Sequence, residues 1–187
     1  MELTGIQIGI LNFLPGGAHN VANDKTKHLV RKWVPRVLRA TAPRNSTNMD
    51  WIVFRVAELY LNYAEALNEY YETPPKEAFD AVLKVRERSG MPGFPSTLNK
   101  EQFREKLRRE RAVELAYEDH RFWDIRRWLI ADDEGVMKGA MYGLQLSAVT
   151  GAPGKVHYKP YVFENRLWSD RSYLHPIKQT EIDKGYM

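Results

Sequence analysis

Residues Leu107–Trp128 read LRRERAVELAYEDHRFWDIRRW. From Glu101 to Trp128 there are eight basic residues, Arg104 to Arg127, and seven acidic ones, Glu101 to Asp124, with aromatics threaded between them. A surface built for nucleic acid carries one sign of charge. Alternating signs are built to pair with one another. At about 100° per residue, Phe103, Leu107, Glu110, Glu114, Tyr117 and Arg121 fall on one side of a helix, with Ala112, Leu115 and Ala116 roughly opposite. A helix apolar on two sides is central and largely surrounded. Carboxylates inside its apolar stripe must then be paired, because an isolated buried charge is very costly. The expectation is an internal ion-pair network drawing on Glu65, Arg88, Glu110, Arg111, Glu114 and Arg121. Glu110 and Glu114 stand one turn apart, a spacing that also suits acid–base chemistry. No H-x-x-x-H or E-x-x-H pattern accompanies them, so neither a metal site nor catalysis is expected.

Outward from this segment the chain reads as helices. Val53, Val56, Ala57, Tyr60, Tyr63, Ala64 and Leu67 recur at three and four, predicting a helix capped by Asn48 or Asp50 and running to about Tyr71. Thr73-Pro74 is a cap and first-turn pair for a second helix, with Ala78, Ala81, Val82 and Val85 inside and Gly90 as its stop. The short link predicts an antiparallel hairpin of helices. Asn99-Lys100-Glu101-Gln102 is a capping box opening a long helix to about Glu118, followed by a segment from Arg121 to Ile130.

The flanks differ. Residues 1–48 form an irregular, loop-rich lead-in, broken by Pro15-Gly16-Gly17, and residues 49–187 form the helical domain. Within it, about 132–172 is a loop or hairpin insertion: MYGLQLSAV and KVHYKPYVFENRLW flank a Thr-Gly-Ala-Pro-Gly turn, although Pro160 weakens the second strand. Tyr142, Tyr158, Tyr161, Trp168 and Tyr173 lie in this last third, where a rigid scaffold presents its loops. Aromatic faces stack on sugar rings, and Asn, Asp and His bind hydroxyls. The ligand candidates are therefore Tyr158, Tyr161 and Trp168, together with His19, Asn20, Asn23 and Asp24 of the polar N-terminal loop.

Composition excludes several classes. With 187 residues, 43% hydrophobic and 28% charged, the chain is long enough for a proper core. It has no cysteine, hence neither disulfide framework nor thiolate metal site. No apolar run approaches the roughly 20 residues of a membrane span. The net charge of +4 is spread along the chain, and no nucleic-acid partner is expected. The N-terminus lacks the basic region and cleavage site of a signal peptide. There is no G-x-S-x-G, P-loop or G-x-G-x-x-G, and no cofactor is expected.

Four segments, in this order, carry a family resemblance: RVAELYLNYAEALNE (55–69), AVLKVRERSGMP (81–92), RRERAVELAYEDHRFWDIRRW (108–128) and YLHPIKQTEID (173–183). Together they resemble the C-terminal half of the SusD/RagB outer-membrane lipoproteins of Bacteroidetes. The helix over YLNYAEAL and its partner are also similar to a tetratricopeptide-type (TPR) pair. The resemblance implies a mainly α fold of tetratricopeptide-like helical pairs with an irregular, β-hairpin C-terminal third. It implies a non-catalytic, lipid-anchored protein at the cell surface, working in polysaccharide utilization. Its partners would be a TonB-dependent, SusC-like transporter and the oligo- or polysaccharide delivered to it for nutrient uptake. The family's N-terminal half, with its signal and lipidated cysteine, has no counterpart here, so the expectation is a truncated chain that oligomerises through surface left uncovered. The alternative is a protein-interaction scaffold contacting a transporter or peptide. The matching motifs are scaffold, and no binding residue carries over from them.

Overall fold

The structure, a computed structural model, describes Lys25, Thr26, Lys32, residues 52–151 and residues 155–185. It is mainly helical, with one small antiparallel sheet. Helices α1 (Val56–Tyr70), α2 (Lys76–Glu87), α3 (Lys100–Glu114) and α4 (His120–Arg127) are followed by strands β1 (Gly139–Ala148) and β2 (Val156–Arg166), a single 3-10 turn (Asp170–Tyr173) and a short α5 (Gln179–Ile182). Residues 32–124 form one compact unit; residues 1–31 and 125–187 form a second.

In the first unit α1 packs on both α2 and α3. Its core joins Leu61 and Ala64 of α1, Ala78, Ala81, Val82 and Val85 of α2, Phe103 and Leu107 of α3, and Leu115 just beyond. Small residues at positions 64, 78 and 81 let the α1 and α2 backbones approach closely. Phe103 is fully buried and meets Phe79 and Phe94 edge to face, with ring centroids 4.9 and 5.6 Å away. Gly90, at φ 70°, ends α2 in a Schellman arrangement: Met91 N–H donates to the Arg86 carbonyl and Gly90 N–H to that of Glu87. The capping box of α3 is complete, since Gln102 N–H donates to Asn99 Oδ1 at 2.9 Å and Asn99 N–H to Gln102 Oε1 at 3.2 Å.

Three predicted boundaries move. Helix α1 begins at Val56 rather than before Val53, because Ile52–Arg55 is not helical and Arg55 is the extended N-cap; Asn48 and Asp50 lie outside the described residues. Helix α2 begins at Lys76 with Pro75 as N-cap, since Pro75 drives the preceding Pro74 away from helical geometry. Helix α3 stops at Glu114, where Tyr117 and Asp119 both adopt left-handed backbone (φ 63° each). The carbonyls freed by this break are captured from outside the helix. Lys32 Nζ donates to the Glu114 and Ala116 carbonyls at 2.6 and 3.0 Å, and Arg55 donates to that of Glu114 at 2.7 Å.

The buried face of α1 is only partly the predicted one. The predicted Ala57, Ala64 and Leu67 do pack on the core, joined by Leu61 and Asn68, while Val53, Val56, Tyr60 and Tyr63 are exposed.

In the second unit β1 and β2 pair over their whole length, with a bulge that leaves Phe163 without an opposite residue between the pairs Met141–Glu164 and Tyr142–Val162. Pro160 sits within β2 because it needs no N–H there. Its partner Leu144 turns its own N–H away from β2, to the Lys25 carbonyl at 2.9 Å. Leu144 and Pro160 are therefore a non-hydrogen-bonded pair on an edge strand, where proline is tolerated.

Candidate functional site

The charges of the 107–128 segment assemble into two clusters inside the first unit. Arg111, almost fully buried, donates through Nε to Asp124 Oδ2 at 2.7 Å and through Nη1 to Asn62 Oδ1, with Glu58 at 3.9 Å. It thus binds α1, α3 and the middle of α4 at one point. The second cluster lies at the broken end of α3. Arg55 holds Glu114 at 2.6 Å and Glu118 at 2.7 Å, Arg88 also reaches Glu114 at 2.9 Å, and Lys32 pairs with Glu118. Burial alone would push the Glu118 carboxyl up, but hydrogen bonds from Arg55 and Lys32 outweigh it and hold the group below the usual carboxylate range. Likewise burial lowers the Arg55 guanidinium and its bonds to Glu118 and Glu114 more than restore it.

Glu110 is buried beneath Arg86, which also donates to the Pro92 carbonyl at 2.6 Å. Glu110 and Glu114 are thus each taken by guanidinium groups and offer no free acid–base pair. Arg121 is exposed at the start of α4, and burial around its guanidinium lowers it despite the nearby Asp124 charge. Glu65 is half-buried on α1. Among the described residues no group of three His, Asp or Glu side chains could hold a metal ion.

The predicted ligand aromatics do not converge on one surface. In the ladder Tyr158 faces Leu146 and Tyr161 faces Gly143, and these pairs lie on opposite sides of the hairpin. Tyr158 shares its side with Tyr142, Leu144, Leu146 and Val162. Tyr142 and Tyr158 are 64% and 57% exposed and stand four strand positions apart, about 13 Å by strand rise. Tyr161, half-buried, lies on the other side beside the docked Lys25 carbonyl. A Cβ at Gly143 would come within 2.3 Å of that oxygen and 3.1 Å of the Tyr161 ring, so only glycine permits this approach. Trp168 is packed rather than presented. The Arg126 guanidinium lies 5.3 Å from its ring centroid, Tyr173 meets it edge to face at 5.3 Å, and its buried indole N–H has no hydrogen-bond partner among the described residues. Tyr173 in turn accepts from the Ala131 and Asp132 amides and donates to Asp132 Oδ1 at 2.6 Å, tying the 3-10 turn to the segment that follows α4. His19, Asn20, Asn23 and Asp24 lie outside the described residues.

The pairing of a compact helix trio with a hairpin-bearing C-terminal third is matched by known proteins. The model of the SusD family matches residues 12–185. The chain belongs to the SusD family. It is 40% identical over 95 residues to SusD-like protein P25 of Formosa agariphila, covering 49% of this chain and 18% of that protein. It is 34% identical over 84 residues to SusD-like protein P38 of the same organism, covering 41% of this chain and 16% of that one. A crystal structure of a SusD-like protein from Bacteroides fragilis superposes with a TM-score of 0.62 at 34% identity, over 73% of this chain and 24% of the other. The chain therefore spans about a fifth of the length of these relatives. Its mainly helical, tetratricopeptide-like architecture with a small two-stranded sheet is that of the SusD-like neighbour. No helix among the described residues is long and apolar enough to cross a membrane.

Proposed function

We propose that this chain is the part of a SusD-type outer-membrane protein that helps capture glycans for a TonB-dependent, SusC-like transporter, without catalysing a reaction on them. In the full-length protein this would be a lipid-anchored, cell-surface component of polysaccharide utilization. The reading is supported by the family match over residues 12–185. The observation that carries a site is the pair of exposed tyrosines, Tyr142 and Tyr158, on one face of the β1–β2 hairpin. Two open aromatic faces on a paired strand ladder give a rigid stacking platform. On the opposite face Tyr161 lies beside Lys25. The chain preceding Lys25 carries His19, Asn20, Asn23 and Asp24, which we assign to hydroxyl binding.

The test is affinity electrophoresis in gels cast separately with starch, xylan, laminarin and alginate. Tyr142→Ala/Tyr158→Ala is expected to abolish the retardation shown by the parent protein. Unchanged retardation overturns the platform. Loss with Tyr161→Ala but not with the double variant moves the site to the other face.

A second reading, a tetratricopeptide-like scaffold for a protein partner, is favoured by the outer face of α1, where Val56, Tyr60 and Tyr63 are exposed at helical spacing. Recovery of a transporter from outer-membrane extract, without glycan retardation, supports it; the reverse pattern sinks it.

A further inference from the structure

Between the end of α2 and the middle of α3 the loop of residues 88–99 leaves a cleft of about 570 Å³. Its apolar lining is Met91, Phe94, Pro95, Leu98 and Val113. Of its two arginines, Arg86 is already committed: it bonds Glu110 and the Pro92 carbonyl and lies 5.1 Å over the Phe94 ring. That stacking covers one face of the Phe94 ring, and Phe103 meets the same ring at a steep angle. The Gln102 side-chain oxygen, Oε1, likewise accepts from the Asn99 amide in the capping box. The lining therefore offers volume and apolar contact, but not the array of amide and carboxylate groups that reads hydroxyls.

The rim has a different character. Lys106 and Arg109, one turn apart on α3, are exposed and make no ion pair among the described residues. Opposing them is one exposed carboxylate, Glu105. The uncommitted charge around the apolar floor is thus net positive. This combination complements a chain segment that inserts one bulky apolar side chain and carries carboxylates beside it.

We propose that this cleft is a docking site for an acidic peptide segment of a partner protein, with an aromatic or large aliphatic side chain as its anchor. The inference rests on the scaffold reading and is independent of glycan capture by the hairpin. It also names a surface other than the outer face of α1, where that reading began. The site lies wholly within the unit of residues 32–124.

The experiment uses the full chain, labelled with 15N, and two probe peptides: acetyl-Asp-Phe-Asp-amide and its mirror acetyl-Lys-Phe-Lys-amide. The acidic peptide is expected to shift the amides of Phe94, Leu98, Lys106 and Arg109 in a saturable manner, and the basic peptide is not. Lys106→Glu/Arg109→Glu changes exposed positions only. It should weaken the acidic peptide about tenfold, because two rim charge contacts of under about 1 kcal/mol each become repulsive. Leu98→Ala shrinks the floor and should weaken it without altering the charge preference. Shifts scattered over the surface, equal binding of both peptides, or insensitivity to the charge reversal overturn the proposal. So does an oligosaccharide that shifts these amides when the peptide does not. Transporter recovery from membrane extract that survives the charge reversal would retain the scaffold reading while refuting this cleft.

Discussion

Replacing Arg111 by methionine removes the guanidinium that joins α1, α3 and α4 while keeping most of the side-chain volume. Three groups feel the loss. Asp124, 3% exposed, loses a charged bond of 2.7 Å, Asn62 Oδ1 loses its donor, and Glu58 loses a cation 3.9 Å away. Breaking a buried ion pair on one side costs about 3–5 kcal/mol, because the remaining charge stays in low dielectric. Asp124→Leu should cost a similar amount for the mirror reason. The double variant Arg111→Met/Asp124→Leu leaves no charge stranded between the two positions. It retains the deficits at Asn62, on the order of 1–2 kcal/mol, and at Glu58, so it should be more stable than Arg111→Met and cost clearly less than the sum of the two singles. In a chain of 187 residues each kcal/mol moves Tm by roughly 2–4 °C, so the singles should melt about 6–20 °C lower and the double only a few degrees lower. Urea unfolding followed by tryptophan fluorescence gives the complete cycle, with Trp123 beside the substituted position. If the double variant costs the sum of the singles, the two side chains are not a coupled pair and the reading of the 107–128 segment as an internal network is wrong.

Gly143→Ala places a methyl 2.3 Å from the Lys25 carbonyl, so the Leu144 amide should exchange with deuterium much faster; unchanged protection would mean that Lys25 does not dock on β1. Phe103→Ala should cost about 3–5 kcal/mol in urea at constant m-value, and a loss below about 1 kcal/mol would remove Phe103 from the centre of the core. The Glu118 carboxyl is held below its usual value of 4.5 in the folded chain, so its contribution is fully present above that value and fades as pH falls through the lower folded value. Arg55→Gln should flatten this acid limb in stability measured from about pH 6 to pH 3, and an unaltered limb would exclude the Arg55 pairing as its source.

Much of the scaffold is legible in sequence because its determinants are local. The Asn99–Gln102 box and Gly90 act within a few residues of the ends they define, and both work as their chemistry requires. The expectation of pairing inside the charged segment rests on spacing alone, and the Arg111 and Glu114 contacts show what that spacing makes possible. The end of α3 is not legible, because its cause is distant. The cations that take the carbonyls of Glu114 and Ala116 lie 59 to 84 residues away in the chain. The face of α1 is only partly legible, for another reason. Val56–Tyr60–Tyr63 and Ala57–Leu61–Ala64 are adjacent stripes of comparable apolarity, and only the close approach of α2 favours the smaller residues. On the hairpin, Tyr158 and Tyr161 are three positions apart in one strand, and that odd spacing alone puts them on opposite sides once a strand is granted. Tyr142 joins Tyr158 only through the register fixed beyond the Phe163 bulge.

The break in α3 also explains why the most charged stretch of the chain is a poor place to look for ligand. Had the helix continued to Glu118, its four-residue rows would carry Glu110, Glu114 and Glu118 along one face, like charges one turn apart that repel. Ending at Glu114 takes Glu118 out of that row and leaves Glu110 and Glu114 to be neutralised by separate cations. Glu110 turns to Arg86, Glu114 to Arg55 and Arg88, and Glu118 to Arg55 and Lys32. The left-handed residues Tyr117 and Asp119 cost backbone energy. What offsets that cost is the capture of both the carboxylates and the freed carbonyls by cations from other segments. Charges used up in this way are unavailable to a substrate. The two proposed sites accordingly rest on groups that the scaffold leaves uncommitted: the exposed tyrosine faces of the hairpin, and the Lys106–Arg109 rim above its apolar cleft.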